Sequence, residues 1–160
     1  MIFYFSSTGN SLVVAEKVAE RTHDAYIPIS LANGLEEIPI TDDRLGIISP
    51  VYHATFNETG VPYIVEDVIR KLKDIKNTYV YCILTHSGFP GFTLEHVNLL
   101  MEQRGGKLSA GLTVRLGSPY STREKLSHMV LKKTLNVDPA KEDTIRKRLT
   151  DDKMEEVSAF

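Results

Sequence analysis

Phe3-Tyr4-Phe5-Ser6-Ser7-Thr8-Gly9-Asn10-Ser11 carries the chain from an apolar segment, through small and polar residues, into an amphipathic stretch. The spacing predicts a strand, a turn and a helix in immediate succession. Ser6, Ser7, Thr8, Gly9, Asn10 and Ser11 supply hydroxyls and unobstructed amides. The first turn of the following helix aims its unpaired N–H groups at the same point, where its dipole favours an anion. Together these features read as a phosphate cradle. The plainer reading is an ordinary strand-to-helix turn with Asn10 or Thr8 as N-cap, but one cap needs one hydroxyl and this loop offers several. No lysine or arginine lies in the loop, which excludes the G-x-x-x-x-G-K-[ST] site of nucleotide triphosphates, and the three spaced glycines of a dinucleotide fingerprint are also missing.

Working outward, apolar β-rich segments alternate with helical patterns, as βαβ units do. Strands are predicted at residues 2–5, 25–29, 45–49, 79–84 and 108–116. The third and fourth are nearly continuous apolar runs, expected of strands covered on both faces. Helical spacing links Val14, Ala15, Val18 and Ala19, then Ile64, Val65, Val68, Ile69 and Leu72, then Leu94, Val97, Leu100 and Met101 before Gly105-Gly106. Residues 33–39 are too punctuated for a long helix and predict a turn or a reduced helix. Helices are expected at 122–135 and 141–149, and fraying at 151–160. The expected fold is α/β, a doubly wound five-stranded parallel sheet of order 2-1-3-4-5, in a single domain spanning residues 1–160. A ligand would then sit at the carboxyl ends of the strands, beside the switch point between strands one and three, where loops 6–11, 50–60 and 85–91 meet.

The bulk properties remove several function classes. A chain of 160 residues buries about two-thirds of its unfolded surface without staples. A formal net charge of −2 with no long basic stripe argues against nucleic-acid binding. The apolar runs are far shorter than the ~20 residues of a membrane span, and Met1 leads straight into a core strand rather than a secretory signal. A cytoplasmic location is expected. Cys82 is the only cysteine and lies in a predicted buried strand, where a structural thiol is expected.

The second loop contains Pro50, Val51, Tyr52, His53 and Phe56, a mixture of aromatic and small residues against which a flat ring could lie. Packing of Tyr52 and Phe56 onto the next helix is the alternative. The third loop contains Thr85, His86, Ser87, Gly88, Phe89 and Gly91; its glycines permit close backbone approach and Phe89 could flank a ring. His86 is either a proton relay or, more commonly at a strand end, a satisfied structural group.

These three segments resemble the flavodoxin-like domains that precede a bacterial-type ferredoxin module in some anaerobe proteins. The resemblance covers roughly the first three-quarters of the chain and implies bound FMN. It makes Ser6, Thr8, Gly9, Asn10 and Ser11 phosphate ligands, with Tyr52, His53, Ser87, Gly88 and Phe89 near the isoalloxazine. The chain departs from those proteins in having no C-x₂-C-x₂-C-x₃-C pattern for iron–sulfur clusters, so electrons would pass to or from a separate ferredoxin or reductase. Its near-neutral charge departs from the acidity of many electron-carrier flavodoxins.

Other chemistries fail on inspection. No arginine closes a phosphate loop after Cys82, there is no G-x-S-x-G elbow, and no aspartate ends the third strand. His23, His53, His86, His96 and His128 show no metal-ligand spacing. The implied function is electron transfer by an FMN-binding protein; an NAD(P)H-dependent flavin reductase and a flavin-free binding module are the alternatives.

Overall fold

Alternating side chains of the central strands enter two separate apolar layers, and that alternation builds the molecule. The structure, a computed structural model, describes residues 1–52, 54 and 59–116. His53, Phe56 and the helices expected at 122–135 and 141–149 lie outside the described residues, as does the expected fraying at 151–160.

The chain runs β1 (Ile2–Tyr4), α1 (Asn10–Thr22), β2 (Tyr26–Pro28), α2 (Ile29–Ala32), β3 (Ile38–Pro39), β4 (Arg44–Pro50), α3 (Tyr63–Lys71), β5 (Leu72–Lys73), β6 (Tyr79–His86), α4 (Thr93–Gln103) and β7 (Leu108–Arg115). The main sheet has the order β2-β1-β4-β6-β7, all parallel. Renumbered within that sheet, this is the expected 2-1-3-4-5. The chain steps from β1 to one side for β2 and then to the other for β4, so the switch point lies between β1 and β4.

Phe3, Leu45, Ile47, Val80, Cys82 and Leu84 point into one layer, with Val65, Val68 and Ile69 of α3 and Val97, Leu100 and Met101 of α4. Ile2, Ile48, Tyr81 and Ile83 point into the other, against Val14, Ala15, Val18 and Ala19 of α1. The period of two in the strands and the i, i+3, i+4 spacing in the helices are those the sequence carried. α4 ends as expected: Gly106 N–H reaches Met101 O at 3.0 Å and Gly105 N–H reaches Glu102 O at 3.0 Å, a Schellman closure.

Two local expectations change. The second strand stops at Pro28, and Ile29, expected to be its last residue, instead opens the short α2, where it is buried. Pro28, at φ −63° and ψ 132°, provides an extended N-cap from which the helix starts. The stretch expected to form only a turn or reduced helix also contributes β3, which pairs in parallel with β5 through Ile38↔Leu72 and Pro39↔Lys73. Leu72 fits the helical spacing of α3 and is fully buried, but it leaves the helix with ψ 140° and joins this ribbon instead.

Candidate functional site

The loop after β1 starts at the rim of the sheet, where Phe5 N–H still bonds Ile48 O of β4 at 2.9 Å. Ser6 Oγ then accepts the N–H of Gly9 at 3.1 Å, closing a tight turn. Gly9 has φ 93°, a left-handed conformation that L side chains rarely adopt, and it is the N-cap residue of α1. No side chain caps the helix there, so neither Thr8 nor Asn10 takes the N-cap position. Ser7 and Thr8 stand exposed at the tip, while Ser6, Gly9 and Asn10 are half-buried. Ser11 is buried within α1, and its hydroxyl bonds that of Thr85 at 2.8 Å. The side chain of Ser11 therefore faces the third loop's base, and what it can offer an anion is its place in the first helical turn.

The second loop leaves β4 through Pro50. Ser49 Oγ donates to Pro50 O at 3.0 Å, and Val51 N–H donates to Thr85 O at 2.9 Å, keeping the second and third loops parallel as the strands end. Tyr52 N–H donates to Gly60 O at 2.9 Å and closes the base of the loop. The Tyr52 ring meets Phe5 edge-on, with centroids 6.4 Å apart and planes at 85°, and its hydroxyl bonds Ser7 Oγ. Tyr52 thus packs on Phe5, just past the end of β1, and reaches the first loop, rather than merely seating its own loop on the next helix. The residue remains 38% exposed.

The third loop begins at buried Thr85. His86 Nδ1 lies 2.9 Å from Gly88 O; a carbonyl only accepts, so Nδ1 carries the proton. Burial lowers the pKa of this imidazole, the Gly88 contact opposes that shift, and the charge of Arg115 adds to the lowering. The ring serves the turn of its own loop. Arg115 Nε donates to Ser87 O at 3.3 Å and Leu116 N–H to His86 O at 2.8 Å, fastening the loop to β7. Ser87, Gly88 and Phe89 are exposed, with Phe89 half open to solvent. Gly91, at φ 58°, turns the chain toward α4.

Loops 6–11 and 85–91 and the described part of loop 50–60 contain no Asp, Glu, Lys or Arg. An anion held here would be held by amides and hydroxyls. Cys82 lies away from this rim in the layer shared with α3 and α4, where burial pushes its thiol up to about 12. Among the described residues no group of three or more His, Cys, Asp or Glu is placed to hold a metal ion, and no helix is long and apolar enough to cross a membrane.

One residue of the site escaped the sequence reading. Thr93, fully buried at the start of α4, accepts Gly60 N–H at 3.0 Å and donates its hydroxyl proton to Pro90 O. A threonine opening a helical pattern reads as a cap; nothing in the sequence marks its tie to a residue 33 positions away.

No family profile matches the chain, and no curated protein does. Solved structures do resemble it. The flavodoxin of Streptococcus pneumonia TIGR4 superposes with a TM-score of 0.52 at 14% identity, over 85% of this chain and 97% of that one. Two-electron reduced Megasphaera elsdenii flavodoxin gives 0.50 at 16% identity, over 76% and 90%. The rubredoxin oxygen:oxidoreductase of Desulfovibrio gigas gives 0.52 at 14% identity, over 93% of this chain and 35% of that one. At these identities the likeness is one of fold: the domain is flavodoxin-like.

Proposed function

We propose that this flavodoxin-like domain binds FMN non-covalently and passes electrons between separate redox partners. The observation that carries the reading is the uncharged loop at the switch point, in which α1 starts at Gly9 with no side-chain capping bond and Ser6, Ser7 and Thr8 immediately precede the helix start. A phosphate monoester suits such a site, since backbone amides and a helix dipole favour an anion without a lysine. The residues fit the remainder of FMN as well. Tyr52 and Phe89 both present exposed aromatic surface, and Ser87 and Gly88 are exposed at the end of β6. FMN supplies one- and two-electron redox chemistry; the protein's part is to hold the ring and set its surroundings.

A lone, buried cysteine with a raised pKa offers nothing for an iron–sulfur cluster, which is why the partner is placed on another molecule, a ferredoxin or a reductase. Calorimetry with FMN and riboflavin tests the assignment. Removing the phosphate should weaken binding by at least ~10-fold, and Thr8→Ala should cost FMN about 1–2 kcal/mol while leaving riboflavin unchanged, the scale of a hydrogen bond to a charged group. Equal affinity for the two flavins would refute the phosphate site.

A further inference from the structure

We propose that Thr93 is a positioning residue: through Gly60 and Tyr52 it sets the place of the second loop relative to the first and third, and so the width of the slot for the flavin ring. The proposal rests on the FMN reading. Thr93 has one hydroxyl proton and gives it to Pro90 O, because a carbonyl only accepts. Its oxygen then receives the Gly60 N–H at 3.0 Å. Both bonds are local to the rim of the sheet, and neither caps α4, whose N-cap Phe92 makes no side-chain capping bond.

From Gly60 the connection continues. Gly60 O accepts Tyr52 N–H at 2.9 Å, and Tyr52 Oη bonds Ser7 Oγ in the first loop. A series of hydrogen bonds therefore runs from the third loop at Pro90, through Thr93, Gly60 and Tyr52, to the phosphate loop. The approach at Gly60 is close: a Cβ there would lie 2.5 Å from Val51 Cγ1 and 2.7 Å from Tyr52 O. The chain doubles back on itself at that point, and the buried N–H of Gly60 has Thr93 as its partner. Without the hydroxyl, both the Gly60 N–H and the Pro90 carbonyl lose their bonds, and the base of the second loop is released from α4.

Riboflavin isolates the ring side of the site, since it lacks the phosphate. Full-length Thr93→Val, which keeps the shape and removes the hydroxyl, is expected to weaken riboflavin and FMN alike by about 10-fold. The visible absorption band of bound FMN should shift, and Thr93→Ser should restore both affinity and band. If Thr93→Val lowers the melting temperature but leaves both dissociation constants and the band unchanged, Thr93 is merely structural and the inference is overturned. Should that variant not fold, hydrogen exchange in the unsubstituted protein decides: riboflavin must slow exchange of the Gly60 amide, and an unaltered rate overturns the role. Absence of flavin binding by the unsubstituted protein would remove the FMN reading and this inference together, whereas binding indifferent to Thr93 removes this inference alone.

Discussion

Gly46→Ala should be among the most damaging single-methyl additions in this sheet. Gly46 of β4 stands beside Tyr81 of β6 in register, and a Cβ built at Gly46 falls 2.5 Å from Tyr81 Cζ, 2.5 Å from its Oη and 2.8 Å from Cε2. The ring is 6% exposed and packed in the layer beneath α1, so it has little room to retreat. Overpacking a filled core costs about 1–3 kcal/mol, and contact with three ring atoms places this case near the top of that range. For a domain of this size, 3 kcal/mol corresponds to a fall of about 6–12 °C in melting temperature. Urea unfolding of Gly46→Ala, Tyr81→Leu and the double variant provides the test. Leucine has none of the three clashing atoms, so in that background Gly46→Ala should cost less than about 1 kcal/mol, giving a coupling of about 2–3 kcal/mol. An equal cost in both backgrounds would refute the packing account.

Gly9→Ala isolates a different cause: nothing lies within 4 Å of its Cβ, so its cost, about 1–2 kcal/mol by urea unfolding, arises from φ 93° alone, and Gly9→Asn should recover part of it. Asp24 links stability to acid. Burial raises its pKa, but hydrogen bonds from Arg44, at 2.9 Å, and Thr22, with the N-terminal ammonium 3.5 Å away, outweigh burial and hold it below the ordinary aspartate value of about 3.9. Its contribution is complete above the unfolded-state pKa and lost as pH falls through the lower folded one, where the unfolded state binds more protons. Stability measured below about pH 4 should therefore fall less steeply for Asp24→Asn than for the unsubstituted protein; matching slopes would dismiss Asp24 from the acid limb.

The main sheet was legible because its information is periodic. Val80, Cys82 and Leu84 alternate with Tyr81 and Ile83, and both sets are buried, so a continuous apolar run could only be a strand covered on two faces. The strand-to-helix turn at residues 6–11 was legible from its residue types, although its cap was not: Thr8 and Asn10 have the side chains for capping, but the left-handed turn that Ser6 closes places Gly9 there. β3 and β5 are two residues each, too short for any period to register, and Leu72 satisfied the spacing of α3 while belonging to the ribbon. Ser11 and Thr93 show the remaining gap. Their partners are fixed by tertiary approach, 74 and 33 residues away, and a hydroxyl's destination leaves no local trace.

The buried bond between Ser11 and Thr85 also bears on the order of events during synthesis. The two hydroxyls are separated by 74 residues and become neighbours only when β6 has taken its place beside β4. Such distant closure is the slow part of assembling a parallel sheet. Ser11, at the end of the loop after β1, leaves the ribosome 74 residues before Thr85, the residue that completes the loop's floor. On the FMN reading proposed above, cofactor loading is a late event: a nascent chain able to hold the flavin has already folded its central strands.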